Sequence, residues 1–256
     1  MSKREIIRLK VTESTNSVAL EAGEKGAAQG TVIVADSQTG GRGRLNRFWL
    51  SPPGMGLYFS LLLRPDLEAE DLPKITLAAG LAISEAVEAE YGIFLQIKWP
   101  NDLLLAGRKL GGILTETGTL RAEVTGPGPV VVVGVGLNLF PPVGGFPPSL
   151  QDSATALSLY TARVIDPEVL LQQCVSSIEQ VVLRLERGDF PMILSEWRER
   201  DAIGDKVLTW VTPKGEKVTG ESLGPDAGGM LRIRDRAGVI HTVISGDVNL
   251  AGKIPG

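Results

Sequence analysis

The feature of this sequence that most restricts its fold is a run of valines over residues 130–135, interrupted only by Gly134. Successive side chains of a strand point to opposite faces, so a strand that is apolar at nearly every position must be covered on both sides. The run therefore predicts the central strand of a sheet that lies buried inside the protein.

Turn residues divide the chain up to residue 203 into strand-like and helix-like patterns. β-prone segments occupy residues 6–10, 31–35, 57–63 and 94–98, and a hairpin is expected from residues 102–105 and 112–117, with 106–109 near its turn. Helical patterns occupy residues 18–22 and 72–91, and a third begins with the cap Asp166 and Pro167 and ends at Gly188. Residues 140–148 form a loop. These patterns predict an α/β protein of the α+β type, with a central mixed sheet flanked by helices.

The pattern changes near Gly204, where four short strand-like segments follow one another between turn residues. They occupy residues 207–211, 218–223, 231–234 and 239–244. A series of this kind is typical of a small β-barrel. We therefore expect a main domain at residues 1–203 and a small C-terminal β-barrel domain at residues 204–256.

The composition excludes several kinds of chemistry. Among 256 residues there is one cysteine, Cys174, and one histidine, His241. They permit no internal disulfide and no Cys/His zinc cluster. A catalytic triad would depend on His241, which lies in a strand-like segment and is expected to be structural, while helical spacing places Cys174 in the core. Catalysis must therefore rely on lysine, arginine, carboxylate and amide groups.

Charge and hydropathy bear on partners and location. The formal net charge is −4 and no helix-turn-helix precedes residue 14, so nucleic acid is not an expected partner. No apolar run reaches the ~18 residues of a membrane span, and the first five residues lack the apolar part of a secretory signal. Together with a free cysteine, these features indicate a cytoplasmic protein without membrane association.

A polar loop at residues 40–47 carries three glycines and the arginines Arg42, Arg44 and Arg47. Glycine lets the backbone approach a ligand closely, and guanidinium groups pair with phosphate or carboxylate. Trp49 follows, and an indole ring there can stack on a base. The spacing matches neither the dinucleotide-binding pattern nor the P-loop. Taken alone, the loop also fits an exposed surface turn.

Three further parts of the sequence indicate a function only when they are considered together. Residues 98–102 read Lys-Trp-Pro-Asn-Asp and are followed by Lys-Leu-Gly-Gly-Ile-Leu at 109–114; residues 134–138 read Gly-Val-Gly-Leu-Asn, and residues 14–16 read Ser-Thr-Asn. Separately they fit exposed lysines, a β-turn and a helix cap. In this order, with Gln-Thr-Gly-Gly-Arg-Gly-Arg at 38–44 and Trp49, they resemble the biotin protein ligases over roughly residues 6–250.

The resemblance implies a catalytic domain of the class II aminoacyl-tRNA synthetase and biotin ligase type, followed by an SH3-like barrel. Such an enzyme couples biotin to ATP, giving biotinoyl-5′-AMP and pyrophosphate, and then biotinylates one lysine of the biotin carboxyl carrier protein of acetyl-CoA carboxylase. Mg²⁺ is expected with ATP, and no residue is assigned to it. Because the Ser-Thr-Asn motif begins at residue 14, the chain resembles monofunctional ligases without an N-terminal DNA-binding domain. Family members often dimerise through the main sheet, so a homodimer is a further expectation.

The resemblance also implies roles for single residues. The catalytic groups would be Lys109, Arg44 and Asp102: Lys109 would hold the biotin carboxylate and the α-phosphate together, and Asp102 would orient or deprotonate the acceptor lysine. Biotin would be bound by Ser14, Thr15, Asn16, Gln38, Arg42, Gly43, Arg44, Lys109 and Gly112. ATP would be bound by Arg42, Arg44, Trp49, Asn101, Lys109 and Asn138.

Three other classes of protein compete with this interpretation. A lipoate or octanoate ligase-type acyl transferase of the same superfamily would share the fold, but would not be expected to combine the arginine loop with Lys-Trp-Pro-Asn-Asp. A non-catalytic binding module would be expected to lack Lys109 or Arg44, and both are present. A nucleic-acid-binding protein is disfavoured by the net charge of −4.

Overall fold

The computed structural model describes residues 4–118, 129–212, 215–243 and 247–250. Seven strands form the main sheet: β1 (Ile6–Thr12), β2 (Val32–Gln38), β3 (Gly56–Leu63), β4 (Gln96–Lys98), β5 (Asp102–Leu105), β6 (Arg108–Thr117) and β7 (Val131–Asn138). The helices are α1 (Thr15–Glu24), α2 (Lys74–Tyr91), α3 (Pro167–Glu186) and α4 (Phe190–Arg198).

The main sheet is mixed, as predicted. Its spatial order is β1-β2-β3-β7-β6-β5-β4, with β1 and β2 parallel and each other neighbouring pair antiparallel. The valine run forms β7, the middle strand. Val131 and Val133 join the core beneath α2 and α3, whereas Val130 and Val132 join a smaller cluster beneath α1. The prediction of a buried central strand is confirmed, because helices cover both faces.

Helix α1 begins at Thr15, three residues before its predicted start. Ser14 occupies the N-cap position, but its side chain makes no capping hydrogen bond. The backbone N–H of Thr15 instead donates to Oε1 of Gln38 at 2.9 Å. At the other end, a Cβ on Gly23 would lie 2.6 Å from Cγ1 of Val130. A glycine there lets α1 lie directly on the sheet.

Helix α3 matches its prediction closely. Oδ1 of Asp166 accepts hydrogen bonds from the backbone N–H groups of Glu168 and Val169 at 2.8 and 3.3 Å, and proline follows the cap. Cys174 is fully buried on this helix, and burial raises the pKa of its thiol to about 12. The cysteine is a core residue.

The hairpin of β5 and β6 turns at Ala106 and Gly107, whose φ angles are 49° and 75°. Strand β6 begins four residues earlier than predicted, so Lys109 lies in the strand and not in the turn. The pairing shifts register, because Leu103 faces Gly111 while Leu104 faces Lys109. Such a bulge re-aims side chains.

The bulge decides which way two neighbouring side chains of β6 point. Strict alternation from Ile113, a core residue, would send Leu110 to the opposite face. With one extra residue in the strand, Leu110 packs in the core and Lys109 instead faces the same side as Gly112.

Five antiparallel strands form the second sheet: β8 (Val207–Val211), β9 (Lys217–Pro225), β10 (Leu231–Asp235), β11 (Ile240–Val243) and β12 (Asp247–Leu250). Their order is β11-β10-β9-β8-β12, which is consistent with an SH3-like domain. Four were predicted, although residue 244 lies outside the described residues. Apolar residues of this sheet, including Leu208, Leu231 and Ile233, belong to the same core cluster as the main sheet.

The connection between the sheets is tied to the edge of the main sheet. The backbone N–H of Ile97 donates to the carbonyl of Arg200 at 2.7 Å, and the N–H of Ala202 donates to the carbonyl of Ile97 at 2.9 Å. The chain therefore runs beside β4 before it enters β8. In the described part of the chain, no helix has the length and apolarity needed to cross a bilayer.

Candidate active site

A cavity of about 1020 Å³ opens on the face of the main sheet that carries α1. Its floor is formed where Gly112, Gly134 and Gly136 lie on β6 and β7. A Cβ on Gly134 would lie 1.9 Å from Oδ1 of Asn16, and a Cβ on Gly136 would lie 2.4 Å from Nε1 of Trp49. Only glycine permits these close approaches, so the glycines of these strands create the space for the side chains above them.

All the site residues that were predicted from the sequence come together in this cavity. The lining includes Ser14, Thr15, Asn16, Gln38, Arg42, Gly43, Arg44, Trp49, Asn101, Asp102, Lys109, Gly112 and Asn138. The individual role of each residue stays a prediction.

Hydrogen bonds fix the amide side chain of Gln38 at one end of the cavity. Its Oε1 accepts from the backbone N–H of Thr15 at 2.9 Å, and its Nε2 donates to Oγ of Ser51 at 2.9 Å. Ser51 in turn donates to the carbonyl of Trp49 at 3.2 Å. With its oxygen and one N–H committed, Gln38 has one N–H left to offer a ligand.

Asn16 is held still more tightly. Its Nδ2 donates to the carbonyl of Leu114 at 3.0 Å and to Oε2 of Glu116 at 2.8 Å, and its Oδ1 lies 2.6 Å from Oγ of Ser60. Both N–H donors are thereby used within the protein, so Asn16 can offer a ligand only an acceptor. Glu116 also accepts from Nη2 of Arg42 at 2.8 Å, which connects this network to the arginine loop.

Ser60 and Glu116 hydrogen-bond to residues of the site, and the sequence analysis did not assign them to it. Ser60 is fully buried and lies 2.8 Å from Oγ1 of Thr15. A lone serine inside the apolar strand β3 is a detectable signal, because a buried hydroxyl requires partners. Glu116 shares the face of Gly112 by the alternation of β6, so this spacing would have placed it on the side of the sheet where the cavity lies.

Lys109 lines the cavity beside Asp102 and Trp49. Its Nζ is 2.6 Å from Oδ1 of Asp102 and 5.4 Å from the centre of the Trp49 ring. Its backbone is bonded on both sides to the segment after the residue 140–148 loop: its N–H donates to Ser153 at 2.7 Å and its carbonyl accepts from Thr155 at 2.9 Å. The ammonium group is therefore held by both its main chain and its carboxylate partner.

Residues 40–47 form a narrow hairpin over the cavity. Arg42 pairs with Phe48 across it, and the N–H of Gly43 donates to the carbonyl of Arg47 at 2.7 Å. The tip is conformationally costly, because Leu45 and its successor have φ angles of 56° and 57°, in the left-handed region that non-glycine residues rarely adopt. The side chains of Leu45 and Phe48 are exposed.

Arg44 points from this hairpin into the protein. Burial lowers the pKa of its guanidinium group, and the charge of Asp102 opposes that shift. The guanidinium carbon lies 5.9 Å from the centre of the Trp99 ring. Asp102 thus has two cationic neighbours, Arg44 and Lys109.

The cavity carries an excess of positive charge. Among the described residues that line it, the basic ones are Arg42, Arg44, Arg47, Lys98, Lys109 and Lys206, and the acidic ones are Asp102 and Asp152. The described residues contain no group of three or more His, Cys, Asp or Glu side chains that could hold a metal ion. Such a site favours a polyanionic ligand.

Two asparagines of the cavity are oriented by the main chain. Nδ2 of Asn101 donates to the carbonyl of Ile113 at 2.9 Å, and Nδ2 of Asn138 donates to the carbonyl of Thr155 at 3.0 Å.

The histidine His241 lies outside the cavity, in the C-terminal sheet, where its Nε2 is 2.8 Å from Oδ2 of Asp235. This hydrogen bond lowers the pKa of the Asp235 carboxyl group.

The fold and the cavity define a two-sheet α/β protein with an anion site built over glycine-bearing strands. The model of the Biotin/lipoate A/B protein ligase family matches residues 8–138, and the chain belongs to this family.

Individual relatives extend the similarity beyond the matched region. The Bifunctional ligase/repressor BirA of Bacillus spizizenii is 35% identical over 240 residues, which are 94% of this chain and 72% of that protein. The Biotin–[acetyl-CoA-carboxylase] ligase of Paracoccus denitrificans is 33% identical over 203 residues, 77% of this chain and 81% of that protein. The structure of the biotin protein ligase from Aquifex aeolicus in complex with biotin and ATP has a TM-score of 0.82 and 31% identity, covering 97% of this chain and 99% of that one.

Proposed function

We propose that this protein is an ATP-dependent biotin protein ligase. It activates biotin as biotinoyl-5′-AMP and transfers the biotinoyl group to a lysine of the biotin carboxyl carrier protein of acetyl-CoA carboxylase. The observation that carries the proposal is the combination, in one cavity, of an amide and hydroxyl network with a cluster of lysine and arginine side chains. The network suits a ureido ring, and the cations suit a carboxylate and a triphosphate.

The first step must bring two anions together. At ~4 Å and an effective dielectric of ~20, two unit charges repel by about 4 kcal/mol. Arg42, Arg44 and Lys109 offset this repulsion while a carboxylate oxygen of biotin attacks the α-phosphorus and pyrophosphate leaves. Trp49 would stack on the adenine ring, with Asn101 and Asn138 oriented toward the nucleotide.

In the second step the amine of the acceptor lysine attacks the acyl carbon, an amide bond forms, the bond to the phosphate oxygen breaks, AMP leaves, and water takes up the proton of the amine unless a base of the site does. Asp102 would orient this amine or accept its proton. Since Asp102 is paired with Lys109 at 2.6 Å, the approach of a second amine would require the carboxylate to be shared between the two. We therefore favour orientation over deprotonation.

Mg²⁺ is proposed to enter with ATP. Mg²⁺ in nucleotide sites is commonly held by phosphate oxygens, waters and one or two carboxylates. The acidic side chains Asp102 and Asp152 line the cavity, so the described residues fit this mode and not an all-protein cage. When bound, the ion would neutralise phosphate charge.

The lipoate or octanoate alternative is not favoured, because the relative in Paracoccus denitrificans and the similar structure from Aquifex aeolicus carry the names of biotin ligases. The carrier protein is inferred from the name of the relative in Paracoccus denitrificans. A homodimer and a cytoplasmic location stay predictions.

The decisive experiment is biotin-dependent exchange of labelled pyrophosphate into ATP. We expect exchange with biotin and none with lipoate or octanoate, and loss of most exchange in Lys109→Met. Lys25→Met is the matched control, because Lys25 pairs with Glu21 on the exposed side of α1. Exchange that is absent with biotin, or equally fast with lipoate, would refute the proposal. Mass spectrometry of the carrier protein then tests the transfer step.

A further inference from the structure

The C-terminal sheet lines the cavity with residues 248–250 and also reaches it through Trp99. This side chain is 4% exposed, and its Nε1 donates to the carbonyl of Gly229 at 2.9 Å. Gly229 lies in the turn between β9 and β10, whereas the ring of Trp99 faces the guanidinium group of Arg44. One indole therefore contacts both the second sheet and the arginine hairpin.

The turn that accepts this hydrogen bond is firmly held. The N–H of Asp226 donates to the carbonyl of Met230 and that of Gly229 donates to the carbonyl of Asp226, both at 2.9 Å. Gly229 has a φ of 82°, and a Cβ there would lie 2.9 Å from Cδ1 of Leu77 and 3.4 Å from Cζ of Phe190. The turn packs closely against α2 and α4, so the carbonyl group of Gly229 is held in one position.

Arg44, whose guanidinium group faces the Trp99 ring, needs a partner that fixes its position. Arg44 extends from a hairpin with an exposed tip, and its guanidinium group has lost part of its hydration through burial. A cation over an aromatic face within about 6 Å is attracted to the ring, most strongly when the ring is tryptophan. Asp102 contributes charge, but the indole adds a flat surface that restricts the orientation of the guanidinium plane.

We infer that Trp99 is a positioning residue, which holds Arg44 over the reacting groups and is itself held by the C-terminal sheet. The inference rests on the proposed function. It gives the second sheet a part in retaining the activated intermediate: the Gly229 turn fixes the indole, and the indole fixes the arginine.

The test is a double-mutant cycle that measures release of biotinoyl-5′-AMP in single-turnover reactions. Trp99→Leu should raise the release rate about three- to thirtyfold, the factor that corresponds to loss of a cation–π contact. Because Trp99 acts through Arg44, the double variant Trp99→Leu/Arg44→Gly should release the intermediate no faster than Arg44→Gly alone. For the same reason, affinity for biotin before ATP is added should fall no further in the double variant than in Arg44→Gly alone.

Two results would overturn the inference: a folded Trp99→Leu protein with unchanged release, or effects of the two substitutions that multiply in the double variant. If Trp99→Leu does not fold, Trp99→Phe is measured by the same criteria. It keeps a ring over Arg44 but removes the hydrogen bond to Gly229, so a smaller rise in release is expected. Wild-type protein without pyrophosphate exchange would instead refute the proposed function, which separates the two failures.

Discussion

At the scale of single residues, the glycines of the cavity floor shape the site as much as its charged side chains do. Gly134 and Gly136 leave room on β7 for Asn16 and Trp49. The hydroxyl group of Ser60 hydrogen-bonds to the side chains of Thr15 and Asn16. The hydrogen bonds of Asn16 leave it only an acceptor for a ligand. Much of the polar lining therefore orients other groups, and few donors are left to define the ligand.

Replacement of Gly134 by alanine tests this arrangement. The new methyl group would overlap Oδ1 of Asn16 and displace its side chain, which breaks about two hydrogen bonds worth ~0.5–1.5 kcal/mol each. We expect biotin to bind roughly five- to a hundredfold more weakly by calorimetry. Gly80→Ala is the control, because a Cβ there would lie 3.5 Å from Cγ2 of Ile97, an ordinary contact inside helix α2. Unchanged affinity in Gly134→Ala would contradict the packing described for the floor.

Removal of the Arg44 side chain tests the hold on the intermediate. A hydrogen bond to a charged group is worth ~1.5–3 kcal/mol, so Arg44→Gly should release biotinoyl-5′-AMP roughly ten- to a hundredfold faster. Single-turnover reactions with rapid filtration measure this rate. Arg236→Gly removes an exposed arginine in the turn between β10 and β11, and this variant should release the intermediate at the wild-type rate. If Arg44→Gly and Arg236→Gly release the intermediate at the same rate, Arg44 does not retain it.

At the scale of secondary-structure elements, the bulge in β6 and the hairpin at residues 40–47 set the geometry of the cavity. The bulge sends Leu110 into the core and Lys109 into the cavity. The hairpin carries Arg42 and Arg44 but has a costly left-handed tip and exposed apolar side chains. Because Leu45 of the hairpin and Phe48, the residue after it, are exposed, we expect the hairpin to respond to ligand.

Hydrogen exchange of residues 40–47 measures that response. We expect these amides to be weakly protected in the free protein and clearly slower with biotin and ATP together, because closure over the adenylate removes them from water. Residues 235–239, a turn of the C-terminal sheet, should exchange equally in both states. Equal protection of residues 40–47 with and without ligands would show that the hairpin does not close.

The sequence was informative about elements where a local signal determined the outcome. The valines of β7 and the Asp166 cap of α3 were recognised because burial on two faces and capping depend on residues close in the chain. The start of α1 was missed because its first N–H is satisfied by Gln38, more than twenty residues away. The bulge was missed because the glycines that follow Leu110 fit a turn or a close approach to a ligand as well as a bulge. Motif resemblance brought the site residues together, and it could not reveal the partners Ser60 and Glu116.

At the scale of the whole molecule, the two sheets are joined by a shared core, by the segment beside β4 and by Trp99. The only cysteine of the chain, Cys174, lies in that core. Burial raises the pKa of its thiol from the ordinary 9.0 to about 12. Above pH 9 the unfolded chain loses a proton that the folded chain keeps, so this group's contribution to stability falls as pH rises toward 12.

Cys174 is therefore a probe of global unfolding. A thiol reagent at pH 8 should label the native protein far more slowly than the denatured one, because reaction requires opening of the core. Ligand at a hundred times its dissociation constant stabilises the folded state by about 2.7 kcal/mol, so labelling should slow about a hundredfold with biotin and ATP. Lipoate serves as the control ligand. Labelling that is rapid in the native protein, or unaffected by biotin and ATP, would contradict this description of the core.

The glycines of the cavity floor have one more consequence. Over Gly134 and Gly136 of β7 the volume is taken by Asn16 and Trp49, and beyond these two side chains the cavity is open to a ligand. A bound molecule would therefore add packing contacts that the free protein lacks. Chains without it open more often and are exposed longer to proteolysis, so the lifetime of the protein in a cell should follow the supply of what it binds.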